Sequence, residues 1–350
     1  MKQDEQIVMT TISKRKAIFF SVILSIASVL VCLLASEIFL TIRYKREHAR
    51  IESAYEGRDL CSKRSDYPEL IYTRIPGECD TNTHGFRGTD YGYDKKNGVF
   101  RIVVIGDSVA EGQGVDYQDR FAQVLERNLN RLTKGKEENV EVIVLAQTGY
   151  STTQELFLLE QEAFQYSPDL IIWSYVLNDP AHPVYHNANG QLGLYYFKPV
   201  FHVANFVSRK LFEINERRKG ANCETEYHAR LHCVYWDQVA SNIEKIADIS
   251  EKSRIPMIFL IHPIFEENGS FDDYSLASLH AELGATATAA GLPVVDVLSA
   301  YRSHSANEFT QPSINGWFDW WHPNKEGHRI VADYLVEYIL SAGYPAFAPR

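Results

Sequence analysis

From residue 101 to the C-terminal end, short runs of β-branched residues alternate with longer amphipathic segments. This rhythm restricts the chain to a parallel sheet joined by crossover helices, because strands covered on both faces read as unbroken apolar runs. Strands are expected at 101–105, 140–145, 169–175, 256–261 and 293–297, and helices at 120–132, 153–166, 238–253, 275–290 and 325–341. The fold class is therefore α/β, a three-layer α/β/α sandwich around a central parallel sheet of about five strands.

Two stretches depart from the rhythm. Residues 43–98 are polar and rich in tyrosine, with turn signals at Ile75-Pro76-Gly77 and at Gly85 and Gly88, and read as a stalk and lead-in. Residues 180–235 are too long for an ordinary connection and carry Tyr185, Tyr195, Tyr196, Phe197, Phe201, Phe206 and Phe212. An insertion of this kind is either a lid or substrate wall, or an extra packed subdomain without contact to substrate; composition does not choose between them.

Ahead of both lies an uncharged apolar run at 17–36, about twenty residues, enough to cross the hydrocarbon core of a bilayer as a helix. A cleaved signal peptide is the competing reading, but its apolar region is normally shorter and the residues near Ala35 make a mediocre cleavage site. A lipoprotein signal fits less well, since Val31 stands before Cys32 where a small residue belongs. The expectation is a single-pass anchor at 17–42, preceded by a tail at 1–16. Charge does not orient it, because Lys14, Arg15 and Lys16 on one flank are matched by Arg43, Lys45, Arg46 and Arg50 on the other. Four cysteines in the body, Cys61, Cys79, Cys223 and Cys233, form two pairs close in sequence and suit disulfides in an oxidising compartment. The body is therefore expected outside the cytoplasm, or in a periplasm, with the N-terminus cytoplasmic. A formal net charge of −10 gives no overall basic field, so nucleic acid is not an expected partner.

The stretch with most chemical content is Ile102-Val103-Val104-Ile105-Gly106-Asp107-Ser108, a buried-strand pattern running into a glycine and a serine. A serine just past the carboxyl end of a central strand sits where open α/β sheets place their ligands. Its plain alternative is a helix-capping serine beside a turn aspartate. A serine hydroxyl needs a base to become nucleophilic, and the base needs a group to orient it. Asp319-Trp320-Trp321-His322-Pro323-Asn324 supplies both, since a carboxylate three residues before a histidine can reach round to its ring N–H. By count alone His262, His328 or His182 could also be the base.

Gly106-Asp107-Ser108 near the start of this domain and Asp319-x-x-His322-Pro323-Asn324 near its end resemble the first and last blocks of the SGNH, or GDSL-like, hydrolase superfamily. The family's glycine after its second strand is matched by Gly149, and its asparagine after the third by Asn178. The resemblance spans about residues 99–342 and implies a flavodoxin-like hydrolase domain at 99–345. It implies Ser108, Asp319 and His322 as catalytic triad, and the Ser108 and Gly149 backbone N–H groups with the Asn178 side chain as oxyanion hole. Two departures stand out: Val176-Leu177-Asn178-Asp179 lacks the usual first glycine of its block, and Val109 follows the serine where the family name implies leucine. Asn82-Thr83-His84-Gly85-Phe86-Arg87-Gly88 also resembles a lead-in of bacterial members, with Gly85 making a turn.

Such relatives include esterases, lipases, thioesterases, carbohydrate acetylesterases and O-acetyltransferases, and the chemistry requires no cofactor. The expected substrate is an acylated envelope glycan, with a lipid ester next; transfer to a polysaccharide, or glycan binding without turnover in an export complex, are the alternatives. A histidine base predicts activity that falls at acidic pH. Gly112-Gln113-Gly114 is not a dinucleotide fingerprint, lacking the third glycine. His228 and His232 between Cys223 and Cys233 could share a helix face and hold zinc, but a Cys223–Cys233 disulfide, like a Cys61–Cys79 one, fits the compartment better. No metal is expected. Trp317, Phe318, Trp320 and Trp321 surround the Asp319–His322 turn and either shape a substrate pocket or pack the final helix.

Overall fold

A computed structural model describes residues 2–54, 62–133, 139–180, 201–266, 269–312 and 318–347. Two units emerge, one formed by residues 1–57 with 197–218 and the other by 58–196 with 219–350.

The second unit opens with a short antiparallel hairpin, β1 (Ser62–Arg64) against β2 (Tyr72–Arg74). Then come the five strands of the central sheet: β3 (Val99–Gly106), β4 (Asn139–Ala146), β5 (Leu170–Val176), β6 (Met257–His262) and β7 (Val294–Asp296). All neighbours run parallel, in the order β4-β3-β5-β6-β7. Strands form here because the runs are β-branched and covered on both faces. Ile102, Val103, Val104 and Ile105 are essentially without exposure, each contributing roughly 1.5–3 kcal/mol through burial. The chain passes from β3 to β4 on one side and then crosses back from β4 to β5 on the other side of β3, so the direction of winding reverses there and opens a crevice at the strands' carboxyl ends.

Helices Phe121–Leu132, Thr152–Gln161, Tyr227–Ser253, Ala277–Ala289 and Lys325–Ser341 flank the sheet. The last has the bounds expected from sequence. The helix expected at 238–253 begins eleven residues earlier, at Tyr227, so the end of the 180–235 insertion is its first turns. The one expected at 153–166 stops at Gln161 and tightens into a 3-10 turn at Ala163–Tyr166. The lead-in is part of this unit: Tyr72 and Leu70 are buried, and the Gln154 side chain donates to the Leu70 carbonyl at 2.7 Å. A second short antiparallel pair, β8 (Gln311–Pro312) with β9 (Phe318–Asp319), ends in the Asp319 turn.

The first unit contains a long helix, Lys2–Ala54, whose stretch Lys16–Arg46 is long and apolar enough to cross a membrane, its most apolar 18-residue window reaching a mean hydropathy of 2.8. This helix runs on past the apolar stretch through the first residues read as stalk. A second helix, His202–Lys219, is capped by it: the Glu37 carboxylate accepts from the His202 and Val203 backbone N–H groups at 2.7 and 2.8 Å. An acidic side chain at a helix N-terminus satisfies otherwise orphaned donors and offsets the positive end of the helix dipole.

Candidate active site

Ser108 follows β3 after the single residue Asp107 and opens the short helix Ser108–Glu111. The sharp change of direction rests on Gly106, where a Cβ would come within 2.8 Å of the Ser174 carbonyl oxygen on β5. Asp107 caps the turn, its Oδ1 accepting from the Val109 N–H at 2.9 Å. On the far side, Asp319 Oδ1 accepts from the Trp321 and His322 N–H groups, folding the turn so that Oδ2 lies 2.7 Å from His322 Nδ1. Asn324 locks the turn from below: its Oδ1 caps the Lys325–Ser341 helix through the Glu326 and Gly327 N–H groups, and its Nδ2 donates to the Glu308 and Thr310 carbonyls.

These two turns, 214 positions apart in sequence, meet: His322 Nε2 lies 2.8 Å from Ser108 Oγ. With Asp319 accepting the Nδ1 proton, Nε2 carries the lone pair that faces the serine. Burial alone would raise the Asp319 carboxyl, but hydrogen bonds from the His322 ring and from the Trp321 and His322 backbone, with the charge His322 carries once protonated, hold it below its usual range. It stays a carboxylate. Ser108 Oγ also lies 3.0 Å from Asp107 Oδ2, so its single proton has two possible acceptors.

Asn178 follows β5, and its Nδ2 donates to the same Asp107 oxygen at 3.2 Å. Gly149 follows β4 with φ of +77°, and a Cβ there would meet the Tyr72 hydroxyl at 2.9 Å. Ser108, Gly149 and Asn178 thus stand beyond the ends of three adjacent strands, β3, β4 and β5.

Reasoning from sequence missed what holds the Gly149 loop. The Tyr72 hydroxyl donates to the Thr148 carbonyl at 2.5 Å, and Glu111 Oε2 accepts from both the N–H and the hydroxyl of Thr148 at 2.6 Å. Arg74 donates to the other Glu111 oxygen at 3.1 and 2.7 Å. Arg87 donates to the Glu111, Gly112 and Val115 carbonyls, so the lead-in motif clamps the chain just after Ser108. Gly85 makes the expected turn, its N–H donating to the Asn82 carbonyl with φ of +84°.

The other histidines are occupied elsewhere. His262 Nε2 pairs with Ser174 Oγ at 2.9 Å, and His328 Nδ1 accepts from the Phe121 N–H at 3.2 Å; burial pushes both rings down to about 3. His182 and Trp317 lie outside the described residues. The Cys223–Cys233 disulfide is formed, so those sulfurs are not metal ligands, and His232 is spent on the Tyr175 hydroxyl and the His228 carbonyl. Cys79 is disulfide-bonded, while Cys61 lies outside the described residues. Trp321 is partly exposed and stacks on Tyr227 at 5.7 Å. Beneath the site, burial and the proximity of other carboxylates push Glu155 and Asp179 well above the usual range.

The profile of the GDSL-like lipase/acylhydrolase family matches residues 104–330. Among solved structures, the chain is similar to an acetyl xylan esterase (15% identity, 69% of this chain and 100% of that one, TM-score 0.44). An acetylxylan esterase from Geobacillus stearothermophilus shares 13% identity over 72% of this chain and 97% of that one, with a TM-score of 0.44. The lipase/acylhydrolase from Enterococcus faecalis shares 18% over 69% and 95%, with a TM-score of 0.41. No curated protein matches the sequence. The matched span reaches from β3 through the Ser108 turn to the Asp319–His322 turn and into the final helix, and the chain belongs to the GDSL-like lipase/acylhydrolase family.

Proposed function

We propose that this protein is a membrane-anchored serine esterase that removes an acyl group, acetyl first among candidates, from a glycan of the cell envelope. The observation that carries the reading is the unbroken chain of contacts from Asp319 Oδ2 to His322 Nδ1 at 2.7 Å and from His322 Nε2 to Ser108 Oγ at 2.8 Å. In this mechanism His322 takes the Ser108 proton as Oγ attacks the ester carbonyl carbon. The oxyanion that forms accepts from the Ser108 and Gly149 backbone N–H groups and the Asn178 amide, donors that cost no reorganisation at the moment of reaction. Collapse expels the alcohol, which leaves with the proton held by His322, and an acyl-serine remains. Water, deprotonated by the same histidine, then releases the acid.

The Lys16–Arg46 stretch is the anchor in this reading, and the Cys223–Cys233 disulfide supports a body outside the cytoplasm, where envelope glycans are the esters at hand. The test is acetate release from a panel of acetylated polysaccharides by the full-length protein, with Ser108→Ala beside it. Release that depends on Ser108 supports hydrolysis of a glycan ester. Acetyl groups appearing on an added unacetylated glycan would replace hydrolysis with transfer, and activity on lipid esters alone would replace the substrate class.

A further inference from the structure

The helix His202–Lys219 is built inside out. Val207, Leu211 and Ile214, spaced as one stripe of an α-helix, are 49%, 63% and 47% exposed, and Phe206 beside them is exposed as well. The opposite face carries Arg209, Glu213 and Glu216, which are partly or fully covered. Arg209 and Lys210 both pair with Glu213, at 3.5 and 2.5 Å. In water a helix turns its apolar stripe inward and its charges outward; a contiguous apolar stripe facing out marks a surface that something apolar covers.

Where this helix begins says what covers it. Its first two N–H groups are held by Glu37, the residue immediately after the uncharged run 17–36, and the His202 ring lies 5.0 Å from that of Tyr44 on the same face of the long helix. A run of that length fills the hydrocarbon core, so Glu37 stands at its edge. Lys210, Arg217 and Arg218 are exposed along the helix, with stems long enough to lie over apolar surface and heads suited to anionic phosphate groups.

We propose that the His202–Lys219 helix lies in the headgroup layer of the membrane that its own anchor crosses, with Val207, Leu211 and Ile214 against the acyl chains. The insertion then returns to the bilayer and gives the body a second membrane attachment. An amphipathic helix with basic flanks binds such a surface through its buried apolar area and through attraction to anionic lipid. The inference rests on the anchor reading above, and the experiment separates the two.

The full-length protein is reconstituted in phosphatidylcholine–phosphatidylglycerol vesicles with plain or brominated acyl chains, as the parent and as Leu211→Trp, Asn205→Trp and Val29→Trp. The readout is the quenching of the added tryptophan over the parent signal. Leu211→Trp is expected to lose roughly half or more of its added emission to chains brominated near the headgroup, as a ring at the acyl boundary should, while Asn205→Trp on the opposite face keeps its own. Val29→Trp, inside the apolar run, reports the anchor. Quenching at Val29→Trp with none at Leu211→Trp would overturn the inference and leave the anchor standing, with water, another protein or a second copy against the stripe. Quenching at neither position would overturn both.

Discussion

Replacing Glu111 by glutamine separates positioning of the site from its chemistry. One Glu111 oxygen accepts two hydrogen bonds from Thr148 and the other accepts two from Arg74, with the carboxylate side chain only 4% exposed. Glutamine has a single acceptor oxygen, so one of the two pairs loses its Glu111 acceptor, and Arg74 loses the charge of Glu111 in either orientation. Hydrogen bonds to a charged group contribute about 1.5–3 kcal/mol each. With Arg74 still 21% exposed and partly rehydrated, the loss of two should cost about 2–4 kcal/mol of stability. The kinetic consequence follows from Thr148 preceding Gly149, whose N–H is an oxyanion donor in the proposed mechanism. Removing an oxyanion donor outright costs about 10²–10³ in kcat, so a donor left in place but loosened should cost about 10–100-fold, with KM changed by less than about threefold. Steady-state hydrolysis of p-nitrophenyl acetate and thermal unfolding, measured on the same preparations well below the variant's Tm, test both numbers. A variant that loses stability as expected but keeps kcat within about twofold would refute the positioning role, since that role predicts a kinetic loss of at least about tenfold.

In the proposed mechanism the Asn178 donor acts on charge that develops during reaction, so Asn178→Ala should lower kcat by about 10²–10³ with a smaller effect on KM; a pure KM effect would contradict this. His262 and His328 are neutral in the fold down to about 3, whereas in the unfolded chain they take up protons below about 6.5. The unfolded state therefore binds more protons, and stability falls as pH drops from about 6.5 toward 3, by up to about 1.4 kcal/mol per unit for each ring. Denaturant titrations at pH 7 and pH 5 should show this, with a shallower slope for His328→Gln; equal slopes would refute it. Glu155 has the opposite sign: burial keeps it protonated while the unfolded chain ionises above about 4.3, so stability drains as pH rises. Glu155→Gln should flatten the pH dependence of Tm between pH 5 and 8, and an unchanged profile would show that the carboxyl is ionised in the fold.

The sheet could be read from sequence because its strands are buried on both faces: every expected strand lies within two residues of the observed one. The bounds of the last helix were legible for a different reason, since Pro323 excludes helix before it and Asn324 is a strong cap. The eleven extra residues of the Tyr227–Ser253 helix were not legible. Their histidines, tyrosines and cysteines have modest helix propensity, and it is burial of Leu231, His232 and Tyr235 that holds them helical. Ser108, Asp319 and His322 could be singled out because each stands in a short local pattern at a turn, whereas Gly149 and Asn178 were named only by the resemblance to the blocks of the SGNH family. Tyr72, Arg74 and Glu111 could not. Tyr72 reaches Thr148 across 76 positions and Arg74 reaches Glu111 across 37, and no local pattern announces either contact. The outward apolar stripe of the His202–Lys219 helix was equally invisible, because periodicity reveals that a helix has two faces and not which one points to water.

Covalent chemistry at Ser108 is the center of the account, and rapid acid quenching of the enzyme with excess p-nitrophenyl acetate, followed by peptide mass analysis, tests it directly. One acetyl group is expected on the peptide containing Ser108, and neither acetylation nor turnover in a Ser108→Ala variant that unfolds at the same temperature as the parent. Turnover that survives in Ser108→Ala, or an acetyl group carried on another residue as the competent intermediate, would contradict it.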